Sequence, residues 1–210
     1  HVLTPPALRG ILDSPETQLG GGVLLDGVIG PSHVSAVIGM QPYEFVAAEY
    51  AKPVVIAGFE PLDVMQAVLM LVRQVNQGRA AVENEYARAV TYAGNAKAQA
   101  LMDDVFELRD SFEWRGLGWL PRSARKLQER YAAFDTERRF EVAPAAVAEH
   151  KACECGAILR GQKNPRDCKV FGTVCTPENP IGSCMVSSEG ACAAYYSYGR
   201  FKDAAAEASA

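Results

Sequence analysis

All six cysteines of this 210-residue chain lie between Cys153 and Cys192, and the first 152 residues contain none. A disulfide framework spreads its cysteines through a short secreted chain. Here a cysteine-free stretch with the length and composition of a globular domain precedes a cysteine-dense segment. The opening residues show no basic n-region and no apolar h-region, so nothing points to secretion and the expected compartment is a reducing cytoplasm. Clustered thiols in that setting serve metal or redox chemistry.

The bulk figures narrow the partners. Hydrophobic residues make up 49% of the chain, enough to fill a core, which excludes a wholly disordered polypeptide. A net charge of −4, from 21 basic and 25 acidic residues, provides no polycationic surface for nucleic acid. The longest apolar run, Val64–Val72, is interrupted by Gln66 and ends at Arg73. It falls short of the roughly 18 residues a spanning helix needs, so no membrane partner is expected. His1 stands where an initiator methionine would, and Val2–Thr4 running into Pro5 and Pro6 reads as a strand end entering a helix. The chain is therefore expected to be part of a longer polypeptide or a processed product.

Periodicity predicts helices over Pro5–Asp13, Pro42–Tyr50, Leu62–Asn76, Asn95–Arg109 and Ser123–Phe134. Buried strands are expected at Val23–Ile29 and Pro53–Ala57, a weaker one at Ala81–Thr91, and strand character at Phe112–Leu120. Strands alternating with helices argue for an α/β fold, a largely parallel sheet with flanking helices. The expected organisation is an α/β domain over residues 1–142, a small loop- and helix-rich cysteine module over 143–202 and a disordered Ala-rich tail over 203–210. In parallel sheets ligands bind beyond the carboxyl ends of the strands. The loops Gly30–His33 and Gly58–Pro61 are the two expected there.

The cysteine spacing is Cys153-x-Cys155-x12-Cys168-x6-Cys175-x8-Cys184-x7-Cys192. It contains no CxxC or HxxxH knuckle of a zinc finger and no closely spaced ferredoxin triplet. Six thiols suffice for one four-thiolate site plus a redox pair. A four-iron, four-sulfur cluster (4Fe-4S) suits soft thiolates delivered from several loops. Between Lys151 and Cys175 five basic residues oppose Glu154 and Asp167, which favours a negatively charged centre. Structural zinc or buried thiols in a basic loop region remain the alternative on spacing and composition.

The run CECGAILRGQKNPRDCKVFGTVCTPENPIGSCMVSSEGACAAYYSY, residues 153–198, closely resembles the iron–sulfur module of the HypD family of nickel–iron hydrogenase maturation proteins. The resemblance continues upstream through GPSHVSAVIG (30–39), KPVVIAGFEPLDV (52–64), VENEYARAV (82–90) and FEWRGLGWLP (112–121), and covers nearly the whole chain except its tail. It implies the second α/β domain of that family followed by its cluster module. The implied function is a metallocofactor-assembly scaffold with a redox role rather than a conventional turnover enzyme. With a HypC-type chaperone it would hold the iron of a transient Fe(CN)2CO group, with cyanide delivered by HypE and HypF. The family's N-terminal half carries a cysteine for the nascent iron group and a GPGCPVC motif, and residues 1–152 have neither.

The module is also similar to that of ferredoxin–thioredoxin reductase, where a disulfide lies beside a four-iron cluster. That likeness implies Cys153, Cys168, Cys175 and Cys192 as cluster ligands and Cys155 with Cys184 as the redox pair. Two further functions stand beside the scaffold: a stand-alone cluster-plus-dithiol electron-transfer module and a zinc-stapled structural domain. Outside the cysteines, His33 is a candidate cleft residue. Glu60 is expected to cap the following helix or touch substrate, and Glu189 to support a neighbouring ligand. His150 reads as a linker residue, Trp114 and Trp119 as core or interface anchors, and Met65, Met70 and Met102 as apolar helix faces. Tyr195, Tyr196 and Tyr198 are expected to pack over the cysteine centre.

Overall fold

The computed structural model describes residues 2–18, 23–140 and 150–199. The module boundary near 143 and the tail 203–210 lie outside these residues. Helix α1 (Thr4–Asp13) starts with Pro5 and Pro6, whose fixed φ suits a first turn. Then follow β1 (Val28–Gly30), α2 (Ser32–Ile38), a 3-10 turn over Gln41–Tyr43, α3 (Glu44–Tyr50), β2 (Val54–Ile56), α4 (Pro61–Asn76) and β3 (Val82–Asn84). The three strands form a parallel sheet of order β1-β2-β3, with Val28, Val54 and Val82 aligned.

Alternation along β2 sorts the core into two layers. Val54 and Ile56 pack with Leu12, Tyr43 and Val46, which brings α1 and α3 onto one face. Val55 packs with Ala67, Met70 and Leu71 of α4 on the other. Beyond the sheet come α5 (Ala96–Val105), β4 (Phe106–Leu108), β5 (Ser111–Trp114), β6 (Gly118–Pro121), β7 (Arg125–Leu127), a 3-10 segment Glu129–Phe134 and α6 (Thr136–Arg139). The strands pair antiparallel, β4 with β7 and β5 with β6.

Several expected elements are corrected here. The first strand is confined to Val28–Gly30, because Val23–Gly27 makes no ladder. The helix from Asn95 stops at Val105, since Phe106–Leu108 pairs instead with Arg125–Leu127. The same pairing takes Arg125–Leu127 out of the helix expected at Ser123–Phe134, and Glu129–Phe134 is a 3-10 segment rather than an α-helix. Phe112–Leu120 is a hairpin, turned at Gly116 and Gly118, both at positive φ. Only Val82–Asn84 of Ala81–Thr91 is a strand. Trp114 is partly buried and donates from Nε1 to Ser123 Oγ at 2.9 Å, whereas Trp119 is exposed and anchors no core.

The cysteine module holds α7 (Cys155–Leu159), a 3-10 turn Pro165–Asp167, α8 (Ser183–Val186) and α9 (Ala191–Tyr198). It is joined to the hairpin by close backbone packing of Gly156 on Gly116 and by Arg160 Nη1 donating to the Gly116 carbonyl at 3.3 Å. Among the described residues no helix is long and apolar enough to cross a membrane.

Candidate metal centre

Five of the six cysteines are buried, and together with Ile158, Val170, Met185 and Ala193 they form a core of their own; Cys153 packs against it half-buried. Each thiol is placed by a tight local structure. Cys153 closes a turn by donating its N–H to the His150 carbonyl at 2.8 Å, and His150 Nδ1 accepts the Ala152 N–H at 3.2 Å. His150 is thereby a turn residue, in keeping with a linker role. Cys155 opens α7, and Cys168 follows a 3-10 turn with a capping box of Asn164 and Asp167. Cys175 sits at the end of a narrow loop where its N–H reaches the Val170 carbonyl at 2.9 Å and Gly172 supplies a φ of 68°. Cys184 lies in α8 and Cys192 in α9.

Within this core several sulfurs make specific contacts. Cys184 Sγ donates to Cys192 Sγ at 2.9 Å. Cys155 Sγ is 3.2 Å from Ser183 Oγ, and the Ile181 N–H donates to Cys175 Sγ at 3.4 Å. Backbone donors of this kind favour thiolates. Opposing them, burial and then the neighbouring thiols Cys155, Cys168 and Cys175 push Cys153 up. Cys184 is pushed up by its bond to Cys155, by burial and by Cys192. Burial also raises Cys192, against the bond from Cys184. A bound metal or cluster would reverse that balance.

Among the described residues no three His, Cys, Asp or Glu groups converge as a single ion requires. Gly182 leaves room for Cys153: a Cβ there would overlap Cys153 Sγ. Arg115, at the tip of the β5–β6 hairpin, lines the narrow opening beside Cys153, Cys155 and Ser183. Neither Gly182 nor Arg115 was legible as a site residue, because their proximity comes from tertiary packing. Tyr195 and Tyr196 meet Phe171 edge-on, each at 6.1 Å, while Tyr198 is exposed and covers nothing.

His33 lies in the first turn of α2 rather than in a loop, and its ring lies 4.3 Å from that of Phe59. The two line a cleft of about 390 Å³ at the carboxyl ends of β1 and β2, with Ser32, Gly58 and Glu189. The cysteine module therefore contributes Glu189 to the cleft of the α/β part, a juxtaposition no local pattern signals.

Glu60 is committed elsewhere. It is the N-cap of α4, where its N–H donates to Asp63 Oδ2 at 3.3 Å. Asp63, 5% exposed, receives a two-pronged bond from Arg88 at 2.6 and 2.9 Å. The Arg88 guanidinium holds its carboxyl below the usual aspartate range. A lowered pKa stabilises the fold above the ordinary aspartate range, and that stability is lost as pH falls through the folded-state value. Arg88→Met is expected to lower the urea midpoint near neutrality and to narrow its gap to wild type in acid. Equilibrium unfolding at several pH values measures this, and a pH-independent gap would contradict it.

Comparison with known proteins places this geometry. A family model described as HypD, hydrogenase formation hypA family, matches residues 1–199. The hydrogenase maturation factor HypD of Cupriavidus necator is 68% identical over 203 residues, covering 97% of this chain and 54% of that protein. The HypD factor of Rhizobium leguminosarum bv. viciae is 63% identical over 97% of this chain and 53% of its own length. That of Rhodobacter capsulatus is 51% identical over 95% of this chain and 52% of its own. The chain thus spans about half the length of these relatives. With the matched residues running from the start of the α/β part through the last cysteine helix, the chain belongs to the HypD family.

Proposed function

We propose that this chain contributes to hydrogenase maturation in the cytoplasm as the redox-bearing portion of a HypD scaffold. The observation that carries this is that all six cysteines belong to one buried core cluster, in a member of a family whose relatives are named for hydrogenase maturation. Cys153, Cys168, Cys175 and Cys192 would hold a 4Fe-4S cluster, which when bound supplies or accepts one electron at a time. Cys155 and Cys184 would form the redox pair. Their disulfide takes up two electrons and two protons to give two thiols, and oxidation returns them. The Ser183 hydroxyl beside Cys155 can hold a proton at that sulfur, and Cys155 helps keep the Cys184 thiol protonated.

The Fe(CN)2CO group is cargo. Residues 1–152 carry no cysteine, so its iron would be held by other parts of the assembly, a HypC-type chaperone among them, with HypE delivering cyanide. The His33 and Glu189 cleft is where this chain would face that cargo.

Two serine variants test the division of roles. Cys155→Ser is expected to keep its iron and sulfide while losing the oxidisable pair. Cys168→Ser is expected to lose the cluster. Iron and sulfide assays with a thiol count read both, and a Cys155→Ser protein devoid of iron would reject the assignment.

A further inference from the structure

A parallel sheet is normally covered on both faces, and here one face is half bare. Helix α4 alone packs on the side of Val55, turning Ala67, Met70 and Leu71 inward. Ile29 of β1, which pairs with Val55 and shares its face, is 49% exposed. Nearby, Asp26, Gly27, Val68, Leu71, Val72, Val75 and Asn76 line a groove of about 370 Å³ between α4 and the segment that leads into β1. The rest of α4 is as bare: Leu62 is 78% and Met65 68% exposed, with Val64 and Leu69 also open. Over its 16 residues the helix carries only two charges, Asp63 and Arg73, and Asp63 is buried against Arg88. A solvent-facing helix surface is ordinarily charged, and a contiguous apolar face of this kind marks an interface.

We propose that the α4–β1 groove is the seat of the portion of the HypD-family polypeptide outside these 210 residues, whether joined to them or on a separate chain. The relatives carry nearly as much chain again as this one covers. One further packed element alongside α4 would bury Val68, Val72 and Val75. The apolar α4 wall of Val68, Leu71, Val72 and Val75, with Asp26 at its edge, calls for a mainly apolar occupant, as a domain–domain interface does. The inference does not depend on what the cysteines bind.

The test compares accessibility at one position in two proteins. Val72→Cys is made in this chain, and the matching substitution in the full-length Cupriavidus necator relative. Maleimide modification of that site is followed by mass spectrometry and normalised to its rate in denaturant. Modification is expected to be about tenfold slower, or more, in the full-length protein, because the groove must open before the thiol reacts. Circular dichroism confirms that both variants are folded. Equal rates would overturn the proposal. So would slow modification in this chain that deepens with concentration, which would assign the groove to a second copy.

Discussion

On the proposed ligand set, replacing Gly182 by alanine is expected to strip most of the iron and sulfide from the protein while leaving the α/β part folded. Gly182 is the N-cap of α8 at φ −104° and ψ 154°, a conformation alanine adopts without strain. The effect is therefore steric and local. The new methyl would overlap Cys153 Sγ and come within 3.5 Å of Cys155 Cβ. Either the Cys153 sulfur swings off its position or α8 moves away, taking Cys184 with it. Metal geometries tolerate errors of only a few tenths of an ångström, so a displaced ligand thiolate costs the site its closure. The measurement is iron and sulfide content beside far-UV circular dichroism. A variant with full iron content would show that Cys153 is not held where a ligand must be.

Gly94→Ala is expected to have the largest effect on folding. Gly39 ends α2 at φ 79° and ψ −174°, and Gly94 has a φ of 76°. Their backbones lock together: the Met40 and Gln41 N–H groups reach the Tyr92 carbonyl at 3.1 Å, and the Asn95 N–H reaches the Val37 carbonyl at 2.9 Å. A Cβ on Gly94 would run into the Val37 carbonyl oxygen and lie 2.6 Å from the Ile38 carbonyl carbon, both main-chain atoms that cannot rotate away. Left-handed strain and overpacking together cost about 3 kcal/mol or more. For a chain of this size that corresponds to a fall in Tm of roughly 6–12 °C. Gly78 provides the contrast, having a φ of 61° but no atom within 4 Å of an added Cβ. Gly78→Ala is expected to cost about 1 kcal/mol. Thermal melts of the two variants check this, and equal shifts would refute the backbone-contact argument.

The sequence was most legible where pattern and packing agree. The strand at Val54–Ile56 and the helix from Pro61 to Asn76 sit where the apolar periodicity expects them. The segment after Ala96 was read as more helical than it is, because the pairing of Phe106–Leu108 with Arg125–Leu127 joins residues far apart in sequence. Long-range pairing of that kind overrides local propensity. The α4 helix shows the complementary failure. Its apolar positions were legible, but which of them face the sheet was not, since apolar residues run round most of the helix and leave no polar side to fix its rotation.

At the centre, the six cysteines and their clustering were legible in the chain. What positions them was not: Gly182 under Cys153, Arg115 at the opening and Ser183 against Cys155 are products of tertiary approach. Asp63 and Arg88 were hidden for the same reason. Each lies in an ordinary-looking polar stretch, and only the fold makes them a buried pair.

The central claim, that these thiols hold an iron–sulfur cluster, is tested most directly by metal analysis of anaerobically purified protein. Iron, acid-labile sulfide and zinc would be measured together with the visible spectrum. The account predicts about four irons and four sulfides per chain, with a broad thiolate-to-iron absorption and no zinc. Zinc without sulfide would contradict it and leave the cysteine core as a structural staple.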